Sequence, residues 1–238
     1  MPVTANAVKD ALQKYIDPEK AEFYPRFFKA GMGEYAEGDK FLGVTVPNQR
    51  KVAKAFRDLP LQQVSILLKN KWHEQRLTAL LILVLQYERS KDDHVRRKIV
   101  EFYLDHLDFV NNWDLVDSSA HKVLGAWLLD HEEEQGTLDE LAESGDLWRE
   151  RVSVIACLPF IKQREFDWIL RLSEWFLDHE HDLIHKAVGW MLREAGKQDQ
   201  TVLHAFLETH AAVMPRTMLR YAIEKLPASK RRDYLSRK

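Results

Sequence analysis

Apolar residues return every three or four positions along nearly the whole chain, and nowhere do they alternate as a half-buried strand requires. In "DLIHKAVGWMLREAGK" the stripe is Ile184, Val188, Met191 and Ala195; in "NNWDLVDSSAHKVLGAWLLD" it is Val116, Ala120, Val123 and Trp127, widened by Leu124 and Leu128. The pattern breaks near residues 17, 31 to 46, 59, 71, 90, 107 to 112, 133, 145, 164, 179, 198 and 213. Helices joined by short polar turns such as "DHEEEQGT" and "GKQDQ" predict an all-α fold, an α-solenoid of antiparallel helix pairs. No strict repeat is visible, so degenerate HEAT-like pairs of roughly forty residues are the expected unit. A single domain over residues 1–238 is expected, with a basic tail over 227–238 that need not be rigid. Residues 111 to 130 read as one helix. "GMGEYAEGDKFLGVTVPNQR", with four glycines and a proline, reads as a surface loop.

Charge is nearly balanced, −2 from 35 Lys and Arg against 37 Asp and Glu, but it is unevenly placed. From residue 181 onward eleven cations face six acids, a local +5, whereas "DHEEEQGTLDELAESGD" carries eight acids and no cation. The basic part is suited to a polyanion and the acidic stretch should face away from one. The single Cys157 excludes an intramolecular disulfide framework or a cysteine zinc cluster and suits a reducing cytosol. "LTALLILVLQY" is too short to span a bilayer and is flanked by "HEQR" and "ERSK"; the first residues lack the order of a signal peptide. A cytoplasmic protein is expected.

Three positions break the rules of a plain helical scaffold. Asp117 falls inside the widened apolar stripe, with Trp113 one turn above it on the same side. It either accepts hydrogen bonds from a neighbouring helix or backbone, or it faces a site. Arg151 sits in the stripe of Leu147, Val154, Ile155, Leu158 and Ile161, so its guanidinium either snorkels to solvent or meets a buried anion, for which Asp117 is a candidate. Trp190 lies opposite its helix's core stripe, on a face with Lys186, Arg193 and Lys197. Either it packs under another helix, or it is a flat plate among cations suited to a sugar-phosphate polyanion.

Trp72, Trp127, Trp148, Trp168 and Trp175 mostly sit at core spacing. The ten histidines, "HEHD" and "HDLIH" included, form no convincing metal-ligand set, and neither a Walker loop, a dinucleotide fingerprint nor a serine elbow is present. No metal and no cofactor are expected.

The strings "WDLVDS", "LWRERVSV" and "IHKAVGWMLRE", in that order, resemble the AlkD-like DNA glycosylases, alkylation-repair enzymes built of HEAT-like repeats. "PEKAEFYPRFFKA" followed by "FLGVTVPNQRKVAK" is similar to the family's opening helices, so the resemblance covers roughly residues 10 to 225. It implies a catalytic acid at Asp117, supported by Trp113, Arg151 and Trp190; the spacing on the Trp190 face makes Lys186, Arg193 and Lys197 the expected DNA contacts. The family's aromatic near the amino-terminal end of the groove matches Phe27 or Phe28, and Phe27 is taken as the DNA-binding candidate. It further implies a concave groove for duplex DNA, excision of purines made cationic by alkylation at the third or seventh ring atom, and a monomer. No lysine near these motifs looks placed as a Schiff-base nucleophile, so monofunctional hydrolysis is expected. The rival readings are a non-catalytic HEAT-like protein for damaged or branched DNA and a protein-binding scaffold.

Overall fold

The computed structural model describes residues 3–237, which contain no β-strand beyond an isolated bridge between Lys40 and Trp72. The fold is all-α, of HEAT-like helix pairs, and the chain divides into two compact units, residues 1–127 and 128–238.

The first unit contains α1 (Ala5–Gln13), α2 (Pro18–Phe27), α3 (Val46–Ala55), α4 (Leu61–Leu68), α5 (His73–Arg89), α6 (Asp93–Asp105), a 3-10 turn (Leu107–Phe109) and α7 (Trp113–Ser119). Helix α8 (Leu124–Asp130) crosses the boundary. Helix α5 is the unit's axis: α3, α4, α6 and α7 all pack on it, and it is buried nearly all round. That explains why "LTALLILVLQY" is apolar on every face rather than amphipathic. Its first turn, His73 to Arg76, is also buried, so "HEQR" is not the solvated flank it looks like.

The second unit contains a 3-10 turn (Glu132–Glu134), α9 (Thr137–Ala142), α10 (Leu147–Ala156), α11 (Leu158–Lys162), α12 (Asp167–Trp175), α13 (Asp182–Gln198), α14 (Gln200–His210), α15 (Arg216–Ala222) and α16 (Ala228–Ser236). Here α13 is the axis, with α10, α11, α12, α14 and α15 against it. Ile184, Val188, Met191 and Ala195 have no exposed surface. At Gly189 a Cβ would lie 2.5 Å from the Met218 carbonyl oxygen, so only glycine lets α15 approach this closely.

Helix starts follow local chemistry. Asp92, Asp146 and Asp199 each accept a hydrogen bond from an amide two residues on, at 2.8, 3.0 and 2.9 Å, placing negative charge on the positive end of α6, α10 and α14.

Three expectations change. Residues 111 to 130 form two helices: α7 ends at Ser119, whose hydroxyl donates to the Leu115 carbonyl at 2.6 Å, and the chain turns through 120–123 before α8. Residues 228–236 are helical and docked by the buried Tyr234, whose hydroxyl donates to Glu208 at 2.9 Å, so this segment is a packed helix rather than a tail. The glycine-rich loop is exposed at Met32 but buried at Phe41, Leu42 and Val44. Of the tryptophans read as core, Trp175 is exposed.

Candidate active site

Helix α7 begins at Trp113, whose amide donates to the Asn112 side chain at 2.8 Å. Trp113 and Asp117, four residues apart, therefore project from one face, and both border a cavity of about 620 Å³ within the first unit. Asp117 is half-buried on this wall, away from the fully buried Val116 and Ala120. The opposite wall comes from α2. Pro25 lacks the amide to continue the helical ladder, and the chain leaves the helix through Phe28 and Lys29, the latter at φ 58°. This sets consecutive phenylalanines in different roles: Phe27 stays 49% exposed at the mouth, while Phe28 is 8% exposed and forms the floor.

That floor is a stack. Phe28 lies parallel to Phe41 at 5.2 Å and against Trp113 at 5.6 Å, with Phe27 edge-on to it at 4.9 Å. Such offset and edge contacts contribute about 0.5–1.5 kcal/mol each beyond burial. Trp113 cannot turn without disturbing Phe28.

Beneath the floor lies a charge network that sequence reasoning missed. His73 Nε2 lies 2.8 Å from Asp114 Oδ2, its Nδ1 lies 3.4 Å from Asp39 Oδ2, and Arg76 donates to that same Asp39 oxygen at 2.6 Å. With a carboxylate opposite each ring nitrogen, both nitrogens must carry a proton, and the ring is an imidazolium. Burial pushes the imidazole toward neutrality, but Asp114 and Asp39 outweigh it and raise its pKa to about 9. The cation also faces the Phe28 ring at 4.6 Å and the Phe41 ring at 5.2 Å. Burial would raise the Asp39 carboxyl, yet the hydrogen bonds from His73 and Arg76 hold it below its ordinary value.

Glu74 closes the loop over this network. Its carboxylate accepts from the amides of Leu42, Gly43 and Val44 at 2.9, 2.7 and 3.2 Å, and burial raises its pKa despite these bonds. Gly43 holds φ +78°, and a Cβ there would lie 2.0 Å from the Asp17 carbonyl oxygen. The "FLG" string is thus a turn that only glycine can make at the foot of α2.

Of the predicted residues, Phe27, Trp113 and Asp117 come together on this cavity. Arg50 and Lys122, which the sequence reading left out, border it too. The other five belong to the second unit. Arg151 is 4% exposed and its guanidinium donates to the Leu183 carbonyl at the start of α13. Trp190 is half-buried and its indole nitrogen donates to Glu194 at 3.0 Å. The cations around it are paired: Lys186 with Asp182 at 2.7 Å, Lys197 with Glu194 at 2.7 Å, and Arg193 with Glu224. This helix face is a mixed-charge surface, not the purely cationic stripe its spacing suggests.

Among the described residues no group of three or more His, Cys, Asp or Glu could hold a metal ion, and no helix is long and apolar enough to cross a membrane. Around "HEHD", His179 instead contacts Glu150 at 3.0 Å.

No curated protein matches the chain. A solved structure described as "Predicted DNA alkylation repair enzyme from Enterococcus faecalis" is similar in fold, with a TM-score of 0.71 over 90% of this chain and 97% of that one, at 19% identity. The family model for DNA alkylation repair enzymes matches residues 8–226. The chain belongs to the DNA alkylation repair enzyme family.

Proposed function

We propose that the protein is a monofunctional DNA glycosylase that removes cationic N-alkylated purines, those carrying the alkyl group on the third or seventh ring atom, from duplex DNA. The observation that supports this reading most is Asp117, a carboxylate held with Trp113 and Phe27 at the wall of an aromatic cavity. An alkylated purine of this kind is already positive, so its glycosidic bond breaks with the electron pair passing to the ring nitrogen and neutralising it. Positive charge grows on the deoxyribose. Asp117 stabilises that charge by Coulomb attraction, which is stronger beside apolar walls than in water, and the aromatic faces add cation–π attraction. Water then bonds to the sugar carbon that the base has left and gives up a proton, for which Asp117 is the acceptor. The products are a free alkylpurine and an abasic site.

Lys186, Arg193 and Lys197 are assigned to DNA phosphates, Phe27 to a sugar or base surface, and Trp190 and Arg151 to supporting roles in the second unit. Incubating the purified protein with methylated duplex DNA and detecting released methylpurine by mass spectrometry tests the reading. No release above the spontaneous rate would overturn it, and binding without release would favour the non-catalytic alternative.

A further inference from the structure

The cavity that holds Asp117 carries charge of both signs. Asp114 is nearly buried and Asp117 half-buried, while Arg50, on the exposed side of α3, and Lys122, in the turn after α7, bring two cations to the same cavity from different elements. The exposed rings of Phe23 and Phe27 border the same cavity. Neither cation is in an ion pair among the described residues, in contrast with Lys186, Arg193 and Lys197 on α13. The difference matters energetically. A cation already neutralised by a carboxylate must share or surrender that partner to bind phosphate, whereas an unpaired cation releases the full counterion of the phosphate it meets. The carboxylate of Asp117 repels phosphate and attracts positive charge, so the phosphates of a bound strand go to Arg50 and Lys122 and any cationic portion to the acid.

We infer that Arg50 and Lys122 form a phosphodiester clamp: they hold two backbone phosphates flanking one nucleotide, whose sugar faces Asp117 across the aromatic mouth. Arg50 presents a planar fork that grips a phosphate through two parallel hydrogen bonds, and Lys122 acts as a point charge. The clamp rests on the glycosylase reading for the identity of the nucleotide but not for the binding of the backbone, and the two are separable.

The test is equilibrium binding of the full chain to an undamaged duplex and to one carrying a tetrahydrofuran abasic analogue, over a range of salt, for R50Q, K122Q and the double variant. Both side chains are outside the core, and circular dichroism checks the folds. Each single variant is expected to lower the slope of log affinity against log salt by about one unit and the double variant by about two. Unchanged slopes would overturn the clamp even if methylpurine is released, and lowered slopes would sustain it even if none is. Covalent trapping of Lys122 on an abasic duplex by borohydride would also overturn it, because an amine that forms a Schiff base is not serving as a charged phosphate ligand.

Discussion

His73 and Asp114 form a buried ion pair, Nε2 to Oδ2 at 2.8 Å, directly behind the aromatic floor of the cavity. Asp114 is the chain neighbour of Trp113, so the pair ties the first turn of α7 to the first turn of α5. The orientation of Trp113, and through one helical turn that of Asp117, depends on a contact 41 residues distant in sequence.

The first prediction is a pH dependence of stability. The imidazole pKa is raised from 6.5 to about 9 in the folded chain. The stability it contributes is fully present below pH 6.5 and is lost as pH rises through about 9, a span worth on the order of 3 kcal/mol. Glu74, raised by burial, also favours low pH, whereas Asp39, held below its ordinary value, is lost as an anion only in stronger acid. Urea unfolding is expected to show a falling midpoint between pH 6.5 and 9, and His73→Gln should remove most of that fall. An unaltered pH profile in the variant would mean the ring is not charged in the fold.

Asp117→Asn is expected to lower single-turnover excision by roughly a hundredfold or more while leaving duplex affinity within a few fold, since the group acts on charge that develops only in the transition state. Excision near the native rate would take Asp117 out of the mechanism.

Gly43 and Gly38 offer a matched comparison. Both hold positive φ, +78° and +89°, but a Cβ at Gly38 meets nothing within 4 Å, whereas at Gly43 it meets the Asp17 carbonyl at 2.0 Å and the Ala21 amide at 2.7 Å. Gly38→Ala should cost about 1 kcal/mol from backbone strain alone. Gly43→Ala adds a backbone collision and should lower the melting temperature much further, because the turn cannot shift without releasing Glu74 from its three amides. Equal melting temperatures would show that the loop can move to absorb the Cβ.

What could be read before folding, and what could not, divides along physical lines. Asp117 and Trp113 were legible because one helical face is a local property, set by residues four apart. The break after Ser119 was not, because no glycine or proline marks it and the apolar stripe continues through Ala120 and Val123 as if nothing happened. The burial of His73 and Arg76 was not legible for another reason: four polar residues beside an apolar run look like a solvated helix end, and only tertiary contact with Asp39 and Asp114 offsets the cost of burying them. The cations of α13 were visible as a stripe, but Glu224 comes from beyond α15 and Glu194 was left out of the stripe, so their pairing was hidden.

The last prediction concerns the charge of the excised base. The rings of Phe23, Phe27, Phe28 and Trp113 make the cavity wall mostly apolar and attract positive charge, and the polar groups that also border it, Tyr24, Ser118 and His121 among them, are set within that apolar surface. Discrimination then rests on how readily the base leaves. Cationic alkylpurines depart without protonation, whereas uracil or hypoxanthine would need a proton donor beside the leaving nitrogen. In a panel of duplexes differing only in the lesion, single-turnover excision is expected for 3- and 7-alkylpurines, retained as the alkyl group grows, and near background for the neutral bases. Efficient removal of a neutral base, or rejection of a larger alkyl group on the same ring nitrogen, would require a base-reading pocket and would move the chemistry away from the sugar-facing carboxylate of Asp117.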